Sequence, residues 1–396
     1  MLRLILFTII AGVVFSCQFQ TTAPSYQANA KVSPGAQQIR SYIELIENKN
    51  VALCVNHTSL LNDVHLVDSL QALGINLSKV FTPEHGYKGQ ADAGEKVSND
   101  SIGSLEIISL YGKNKKPSPY QMKGIDVMIF DMQDVGTRFY TYISTMHYVM
   151  EACAENNVPL IVLDRPNPND FIDGPMLDTV YRSFVGMHEI PVVHGLTIGE
   201  LAGMINGEHW LADSLAVDLT VIPVVNWSHG DQYELSVKPS PNLPNQQAIN
   251  WYPTLCFFEG TYFSVGRGTN FPFQVVGSSD YPKTNFTFTP SSRPGAKYPK
   301  FEDIQCFGLD LRNAAAPPQI DLDVLIKVYS LSKKENFFNP YFNTLAGTDN
   351  LRKQIERGMT AQEIRESWKS ELDSYGKLRA KYLLYPDDRR LIHTAN

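Results

Sequence analysis

Val80-Phe81-Thr82-Pro83-Glu84-His85-Gly86-Tyr87-Lys88-Gly89 is the stretch that decides the fold of this sequence: an apolar run, a proline, a carboxylate and an imidazole. Proline has no N–H to donate to a sheet ladder, so a buried strand is predicted to end at Pro83. Gly86 and Gly89 permit the turn that must follow. Open α/β sheets bind ligands just beyond the carboxyl ends of their strands, which makes Glu84 and His85 candidate site residues. The alternative interpretation is a surface loop with two solvated polar residues.

The segment 37–216 alternates between apolar runs and amphipathic stretches. This pattern predicts strands at 51–55, before Thr82, and at 107–110, 125–130 and 158–163. It predicts helices at 39–46, 63–73, 141–156 and 197–207, the last with a capping box of Thr197 and Glu200. Strand–helix–strand repeats of this kind form a parallel sheet with helices on both faces, so an α/β fold is expected. No G-x-G-x-x-G follows the first strand, and a dinucleotide site is not predicted.

Polar side chains follow five successive predicted strands, with Tyr111-Gly112 after the strand at 107–110. Because the carboxyl ends of parallel strands meet at one edge of a sheet, these side chains are expected to converge on one crevice. The candidates are Asn56, Glu84, His85, Asp131, Asp134, Arg138, Tyr142, Asp164, Arg165 and Asn167. A single cluster of this kind is typical of caps and turns, but five at consecutive strand ends favour an enzyme active site.

The proline-rich run 239–244 marks a predicted domain boundary, with one domain over 37–245 and an auxiliary domain over 246–396. The aromatic-rich segment that follows carries Glu259 and Arg267. The aromatic residues of this segment suit a platform for a sugar, and Glu259 and Arg267 suit a clamp for an anion. The alternative is an internal salt bridge between Glu259 and Arg267. The rest of the second half, with a helix predicted over 360–375, is interpreted as scaffold.

The first residues are typical of an export signal. A short basic end is followed by an apolar run over 4–15, too short to span a bilayer, and then by Ser16-Cys17. Residues 1–17 are therefore predicted to be a lipoprotein signal peptide that leaves Cys17 lipidated. An ordinary secretory signal with an incidental cysteine is the alternative. Residues 18–36 are interpreted as a flexible tether. Gln18 is not an aspartate retention signal, so in a Gram-negative cell the resemblance to lipoprotein sorting rules favours the periplasmic face of an outer membrane.

Composition sets further bounds. With 43% hydrophobic and 19% charged residues the chain is globular, and its length suits two domains. A net charge of -7 without any Lys/Arg-rich run argues against a nucleic-acid partner. Cys54 and Cys153 lie in apolar segments and are expected to be buried thiols. The cysteines show no C-x-x-C spacing, so neither a zinc site nor a redox motif is predicted. Whether some of them form disulfides in an exported chain stays open.

Five motifs in order resemble the YbbC/NamZ family, the exo-acting β-N-acetylmuramidases of peptidoglycan turnover. They lie at 82–86, 131–138, 163–168, 239–244 and 258–269, and the likeness covers essentially the whole mature chain. The resemblance implies a Rossmann-like N-terminal domain that carries the site and a smaller C-terminal α+β domain that closes the cleft. It also implies hydrolysis of a terminal, non-reducing N-acetylmuramic acid from peptide-free glycan strands.

The resemblance places the family's catalytic acid at Glu84. Glycoside hydrolysis also needs a group that activates water or attacks the anomeric carbon. Asp131 and Asp134 are candidates for a base, and the substrate's own acetamido group is another possible nucleophile. His85 is expected to bind substrate or to transfer protons. No metal or cofactor is required by this scheme.

Muramic acid carries a lactyl carboxylate that glucosamine lacks. An arginine is the best partner for such a group, so Arg138, Arg165 or Arg267 is predicted to bind it. Two other hypotheses stay open. One is a metal-dependent hydrolase with His57, His85 and Asp131 as ligands. The other is a non-catalytic lipoprotein that only binds cell-wall fragments.

Overall fold

The computed structural model describes residues 31–89, 100–103 and 105–387. The predicted signal peptide, Cys17 and most of the predicted tether lie outside these residues. The helices are α1 (Ile39–Ile46), α2 (Leu66–Ala72), α3 (Pro119–Met122), α4 (Tyr142–Glu155), α5 (Ile198–Gly207), α6 (Gln246–Leu255), α7 (Leu322–Ser330), α8 (Tyr341–Ala346), α9 (Asn350–Glu356) and α10 (Ala361–Arg379). Within the described ranges, no helix has the length and apolar character needed to cross a membrane.

A seven-stranded sheet forms the centre of the first half. The strands of the chain are β1 (Val51–Val55), β2 (Leu60–Leu61), β3 (Val64–His65), β4 (Leu77–Thr82), β5 (Asp100–Ile102), β6 (Leu105–Ser109), β7 (Val127–Asp131), β8 (Leu160–Leu163), β9 (Ile172–Met176), β10 (Pro191–His194), β11 (Leu219–Ile222), β12 (Val275–Ser278), β13 (Thr287–Phe288) and β14 (Cys306–Asp310). The sheet order is β11-β8-β7-β1-β4-β6-β5, and only β5 pairs antiparallel with its neighbour.

The six parallel strands have the order of a Rossmann fold. From β6 to β11 they lie in the sequence order 3-2-1-4-5-6, so the direction of winding reverses between β1 and β7. Sheets of this kind bind ligands in the crevice beyond that switch point. The predicted α/β fold with a Rossmann-like sheet is confirmed.

Both faces of the sheet are covered, which explains its nearly continuous apolar strands. Alternate residues of a strand point to opposite faces. Ala52 and Cys54 pack in the layer that holds α4 and α5, whereas Leu53 and Val55 pack in the layer that holds α1 and α2. Cys54 and Cys153 are buried free thiols, as predicted, and the other cysteines of the described chain, Cys256 and Cys306, are also buried and unpaired.

The second half is an α+β unit built around a small antiparallel sheet. Its strands lie in the order β12-β14-β13, and the same half of the chain contains helices α6 to α10. Buried aromatic side chains such as Phe257 and Phe342 join the same apolar cluster as α4 of the first half. Helix α10 packs against β9, so the end of the chain returns to the first half. The predicted smaller C-terminal α+β part is confirmed.

Several boundaries differ from the predicted ones. Residues predicted to begin a helix at 63 form the hairpin of β2 and β3, and α2 starts only at Leu66. The segment just before Thr197, for which no strand was predicted, contains β10, which pairs with β9. At the end of the predicted tether, Ser33 pairs with Val225 and Ala36 is fully buried.

Helix α6 contains a proline, which sequence reasoning did not anticipate. Pro253 has no N–H, so the carbonyl of Ile249 loses its helical partner. The side-chain amide of Asn169 donates to that carbonyl at 3.1 Å. A residue from the first half therefore satisfies the acceptor that the proline leaves free.

Candidate active site

A cavity of about 1030 Å³ opens beyond the carboxyl ends of the parallel strands. Both halves of the chain contribute to its walls. Its aromatic lining consists of Tyr111, Phe139, Tyr140, Tyr142, Phe184, Tyr252, Phe273, Tyr298 and Tyr341. Of the described carboxylates, Glu84 and Glu259 line it. The cavity therefore combines aromatic surfaces with a small number of charged groups, as sugar-binding clefts do.

Glu84 enters the cavity from the turn that ends β4. Strand β4 stops at Thr82, and the N–H of Gly86 donates to the carbonyl of Pro83 at 3.1 Å. His85, between them, has a φ of 70°, in the left-handed region that only a few non-glycine residues occupy. Such backbone strain persists where the surrounding structure enforces it, and it is often found at active sites. The strand end and the turn predicted at Pro83 and Gly86 are confirmed.

Thr141 holds the Glu84 carboxylate. Its hydroxyl donates to Oε2 of Glu84 at 2.9 Å. Thr141 is the N-cap of α4, yet its side chain makes no capping bond to the helix. The hydroxyl that would ordinarily cap a helix is used to orient a cavity carboxylate instead.

The cavity floor is a group of packed aromatic rings. Tyr140 contacts both Tyr142 and Tyr252 edge-on, and Tyr252 contacts Phe273 in the same way. The hydroxyls of Tyr140 and Tyr142 donate to the carbonyl of Pro239 at 2.9 and 3.2 Å. Burial, with a smaller contribution from the charge of Glu84, raises the pKa of the Tyr142 phenol, so this group stays neutral beside the carboxylate.

The second cavity carboxylate is ion-paired. Glu259 lies on the 3-10 helix Cys256–Gly260, and its Oε1 accepts from Nε of Arg267 at 2.6 Å. The Arg267 guanidinium also lies 5.0 Å from the Phe273 ring centre. Burial alone would lower the pKa of Arg267, but the Glu259 carboxylate outweighs it and raises that pKa. Glu259 and Arg267 therefore form the internal salt bridge that was the alternative interpretation, and both also line the cavity.

Two family models together match nearly all of the described chain. The model described as "Exo-beta-N-acetylmuramidase NamZ, N-terminal" matches residues 51–247, and the corresponding C-terminal model matches residues 250–385. The chain belongs to the NamZ family. The resemblance predicted from the five sequence motifs is confirmed.

Relatives of this NamZ-family chain include a curated protein and two solved structures. The peptidoglycan beta-N-acetylmuramidase NamZ of Bacillus subtilis (strain 168) is 38% identical over 373 residues, which cover 87% of this chain and 89% of that protein. A crystal structure of a DUF1343 family protein from Bacteroides fragilis has a TM-score of 0.84 at 44% identity and covers 90% of this chain and 100% of its own. A second such structure from that organism has a TM-score of 0.78 at 29% identity, with coverage of 90% and 99%.

In this NamZ-family chain, Asp131 and Arg165 bind each other instead of lining the cavity. The guanidinium donates from Nε to Oδ1 at 2.6 Å and from Nη2 to Oδ2 at 2.9 Å. Asp131 is fully buried and Arg165 nearly so. Burial alone would lower the pKa of Arg165, but the Asp131 carboxylate raises it. The structure does not bring the predicted base or this predicted arginine to the cavity.

Arg138 is also outside the cavity lining. It is fully buried, and its terminal nitrogens donate to the carbonyls of Pro175, Ile190, Leu345 and Ala346. Burial lowers the pKa of its guanidinium to about 9. Its contacts join the β9–β10 hairpin to α8, which is a structural role between the two halves.

His85 lines the cavity next to Glu84, whereas the polar candidates Asn56, Asp134 and Asn167 are buried in contacts with nearby backbone or side chains and lie outside the cavity lining. Asn56 accepts from Thr58, Asp134 accepts from the N–H of Gly136, and Asn167 donates to the carbonyl of Leu196.

Asp164 makes contacts of the same structural kind. It accepts from Thr197 and from the N–H of Gly199 at the start of α5. Burial raises the pKa of Asp164 to about 6 in spite of these bonds.

The ligands of the metal hypothesis are not assembled. His57 Nε2 lies 2.8 Å from the carbonyl of Lys238, and burial lowers the pKa of its imidazole. Both carboxylate oxygens of Asp131 are engaged by Arg165. Across the part of the chain that the structure describes, no three His, Cys, Asp or Glu side chains form a group able to hold a metal ion.

Several cavity residues were not predicted from the sequence. They are Lys115, Thr141, Lys297, Tyr298 and Tyr341. Thr141 stands between two tyrosines in the stretch that follows β7, so the polar residues of that motif carried a usable signal. Tyr298 and Tyr341 lie far along the chain in segments without a chemical motif, and only the fold brings them to the cavity.

Proposed function

We infer that the chain is an exo-acting β-N-acetylmuramidase that releases N-acetylmuramic acid from the non-reducing ends of peptidoglycan glycan strands. The observation that carries this inference is the oriented carboxylate of Glu84 in an aromatic-floored cavity at the edge of a NamZ-family sheet. The cavity volume of about 1030 Å³ suits a ligand the size of a short saccharide. The Bacillus subtilis relative is a peptidoglycan β-N-acetylmuramidase, and it has the same name, NamZ, as the two family models.

In this proposal Glu84 is the catalytic acid. Its protonated carboxyl gives a proton to the glycosidic oxygen as the bond from that oxygen to the anomeric carbon breaks. The hydroxyl of Thr141 fixes the direction of the carboxyl group. After the leaving sugar departs, the Glu84 carboxylate takes a proton from the water that attacks the anomeric carbon. One residue then serves as acid and as base in turn.

The proposed nucleophile is the acetamido oxygen of the substrate. Glu259, the other carboxylate among the described cavity residues, is bound to Arg267 at 2.6 Å. Asp131 and Asp134 do not line the cavity. Attack by the acetamido oxygen on the anomeric carbon forms a cyclic intermediate, which water opens in the second step. This route retains the anomeric configuration and needs no protein nucleophile.

Arg267 is the proposed partner of the lactyl carboxylate. Of the three arginines that the sequence suggested, it is the one that lines the cavity. Its Nε is used by Glu259, and its terminal Nη groups are the donors offered to a substrate carboxylate. Recognition of this group distinguishes muramic acid from glucosamine.

The test is the release of N-acetylmuramic acid from peptide-free glycan strands. Glu84→Gln is expected to lower kcat by about 10²- to 10⁴-fold, the usual contribution of general acid–base catalysis. Glu47→Gln, which changes an exposed carboxylate, is the matched control. Undiminished hydrolysis by Glu84→Gln overturns the assigned acid. A wild-type protein that binds N-acetylmuramic acid but hydrolyses no muramide supports a binding lipoprotein, and products longer than a monosaccharide contradict exo action.

We further propose that the protein is held by lipid on Cys17, on the periplasmic face of an outer membrane. The apolar run 4–15 and the Ser16-Cys17 pair support this proposal. Cys17→Ser is expected to abolish labelling by a radioactive fatty acid and to move the protein from the membrane fraction to the soluble fraction. Labelling that survives the substitution contradicts the proposal.

A further inference from the structure

Residues 291–300 form a loop that carries Tyr298 at the mouth of the cavity; we call it the rim loop. Tyr298 lines the cavity, yet 92% of its surface is exposed. The floor residues Tyr142 and Phe273, by contrast, are each about 1% exposed. The two ends of the cavity therefore differ: the floor is formed by buried aromatic rings, and the mouth has an exposed one.

The rim loop is fixed at its start and at its tip. The N–H of Ser291 donates to the carbonyl of Gly268 at 2.9 Å. Arg293 and Ala296 pair with each other through both backbone groups. At the tip, the side-chain amide of the buried Asn242 donates to the carbonyl of Gly295 at 2.7 Å.

The end of the rim loop is fixed more firmly still. Pro299 packs so closely on Gly268 that a Cβ at that glycine would lie 2.7 Å from the proline ring. Gly268 also has a φ of 83°, so no other residue suits that position. Lys300 Nζ, with three N–H donors, lies within hydrogen-bonding distance, 2.6 to 3.4 Å, of four backbone carbonyl oxygens, those of Phe258, Glu259, Thr261 and Phe263. Tyr298 is therefore an exposed ring held between anchored neighbours.

A large aromatic side chain exposed beside a cavity is typical of a binding surface. An exo-acting enzyme encloses the terminal sugar, so the rest of the strand must leave through the mouth. We propose that Tyr298 is the platform on which the second sugar stacks, the one on the reducing side of the scissile bond. This inference rests on the proposed exo-muramidase function and adds a leaving-group subsite to it.

The anchoring matters for affinity. A ring on a mobile loop loses conformational freedom when a ligand binds, and that loss reduces the gain from the contact. A ring on a fixed loop already has the backbone position that binding needs. The apolar face of a pyranose ring is a suitable partner because the tyrosine offers a flat apolar surface with a polar tip.

The test measures binding and turnover separately. The ligand for binding is the disaccharide of N-acetylmuramic acid and N-acetylglucosamine joined through sulfur, which resists hydrolysis. Tyr298→Ala is expected to raise the Kd of this disaccharide about 3- to 10-fold, the range for one aromatic contact. The Kd of free N-acetylmuramic acid should change less than about 2-fold, since that sugar lies inside the cavity. Tyr298→Phe, which keeps the ring, should resemble the wild type.

Tyr120→Ala is the matched control, because Tyr120 is 86% exposed and does not line the cavity. The inference is overturned if Tyr298→Ala and Tyr120→Ala bind the disaccharide equally well. It is overturned too if Tyr298→Ala weakens both ligands equally, since Tyr298 would then contact the terminal sugar. If the wild type hydrolyses no muramide at all, the proposed function fails, whereas an active wild type with an unaffected Tyr298→Ala variant removes the subsite alone.

Discussion

Thr141 Oγ1 donates a hydrogen bond of 2.9 Å to Oε2 of Glu84, across 57 residues of sequence. The donor stands at the N-terminus of α4 and the acceptor follows β4, so the bond joins two of the strand-end segments that the sheet brings together. Because this hydroxyl caps no helical N–H, removing it should affect the carboxylate far more than the helix.

Thr141→Val is therefore expected to lower kcat about 10-fold through loss of orientation at Glu84, with little change in KM. Thr141→Ser keeps the hydroxyl and should restore most of the rate. Steady-state kinetics on the muramic acid disaccharide measure both effects. Urea unfolding should show that Thr141→Val costs less than about 1 kcal/mol of free energy of unfolding. An unchanged kcat would show that the bond has no part in catalysis.

Arg267→Ala is expected to weaken binding of N-acetylmuramic acid about 10- to 100-fold, because a charge-assisted hydrogen bond contributes about 1.5 to 3 kcal/mol. Binding of N-acetylglucosamine, which has no lactyl group, should change little. Calorimetric titration with each sugar gives the comparison. Arg365→Ala is a suitable control, since Arg365 also pairs with a carboxylate, Asp173, but does not line the cavity. Equal losses for both sugars would contradict the role of Arg267 in reading the carboxylate.

Arg138→Leu is expected to destabilise the fold by about 3 kcal/mol or more, because it removes the buried guanidinium that donates to four backbone carbonyls. Arg138→Lys should restore little, since an ammonium group cannot reproduce the planar fork. Urea unfolding measures the free energy of unfolding of each variant. Arg182→Leu is the control: its side chain is 55% exposed and its ion pair with Glu189 is superficial, so its loss should cost less than about 1 kcal/mol. Similar costs for both arginines would show that the buried contacts of Arg138 contribute little.

His229 should make stability fall in mildly alkaline solution. Burial alone would lower the pKa of this imidazole, but Glu200 at 2.9 Å and Asp170 at 2.8 Å raise it to about 9. The folded state therefore keeps a proton that the unfolded state releases near pH 6.5. The stabilisation, about 3 kcal/mol, is complete below that pH and is lost as the pH rises through 9.

The measurement is the free energy of unfolding in urea between pH 6 and pH 9. The wild type should lose stability across this range, and His229→Asn should lose most of the slope. His209→Asn, at an exposed position, should keep the wild-type slope. A flat wild-type profile would show that His229 is not charged in the fold.

Much of the fold was predictable because it depends on local patterns. Apolar runs gave the strands of the parallel sheet, and capping boxes gave the starts of α5 and α10, at Thr197 and Thr360. The hairpin of β9 and β10 and the helical Pro253 were not predictable in this way. Both depend on partners from distant segments, as the bond from Asn169 to the carbonyl of Ile249 shows.

The location of the cavity was predictable from the sequence, but the residues that line it were less so. The convergence of strand ends correctly indicated the edge of the sheet where the cavity lies. It did not indicate which polar residues face the cavity. Asp131 is the last residue of β7 and Arg165 follows the adjacent strand β8, so two opposite charges meet below the surface and form an ion pair. A buried charge needs such a partner, and sequence alone does not reveal whether the partner is protein or substrate.

The buried aromatic floor of the cavity has a consequence for how the enzyme meets a polymer. A strand whose terminal sugar rests against Tyr142 and Phe273 can be shortened only from that end. The effective substrate concentration is then the concentration of strand ends, and the total mass of glycan does not determine it. Any activity that cuts strands internally would raise the rate of this enzyme by supplying it with new ends.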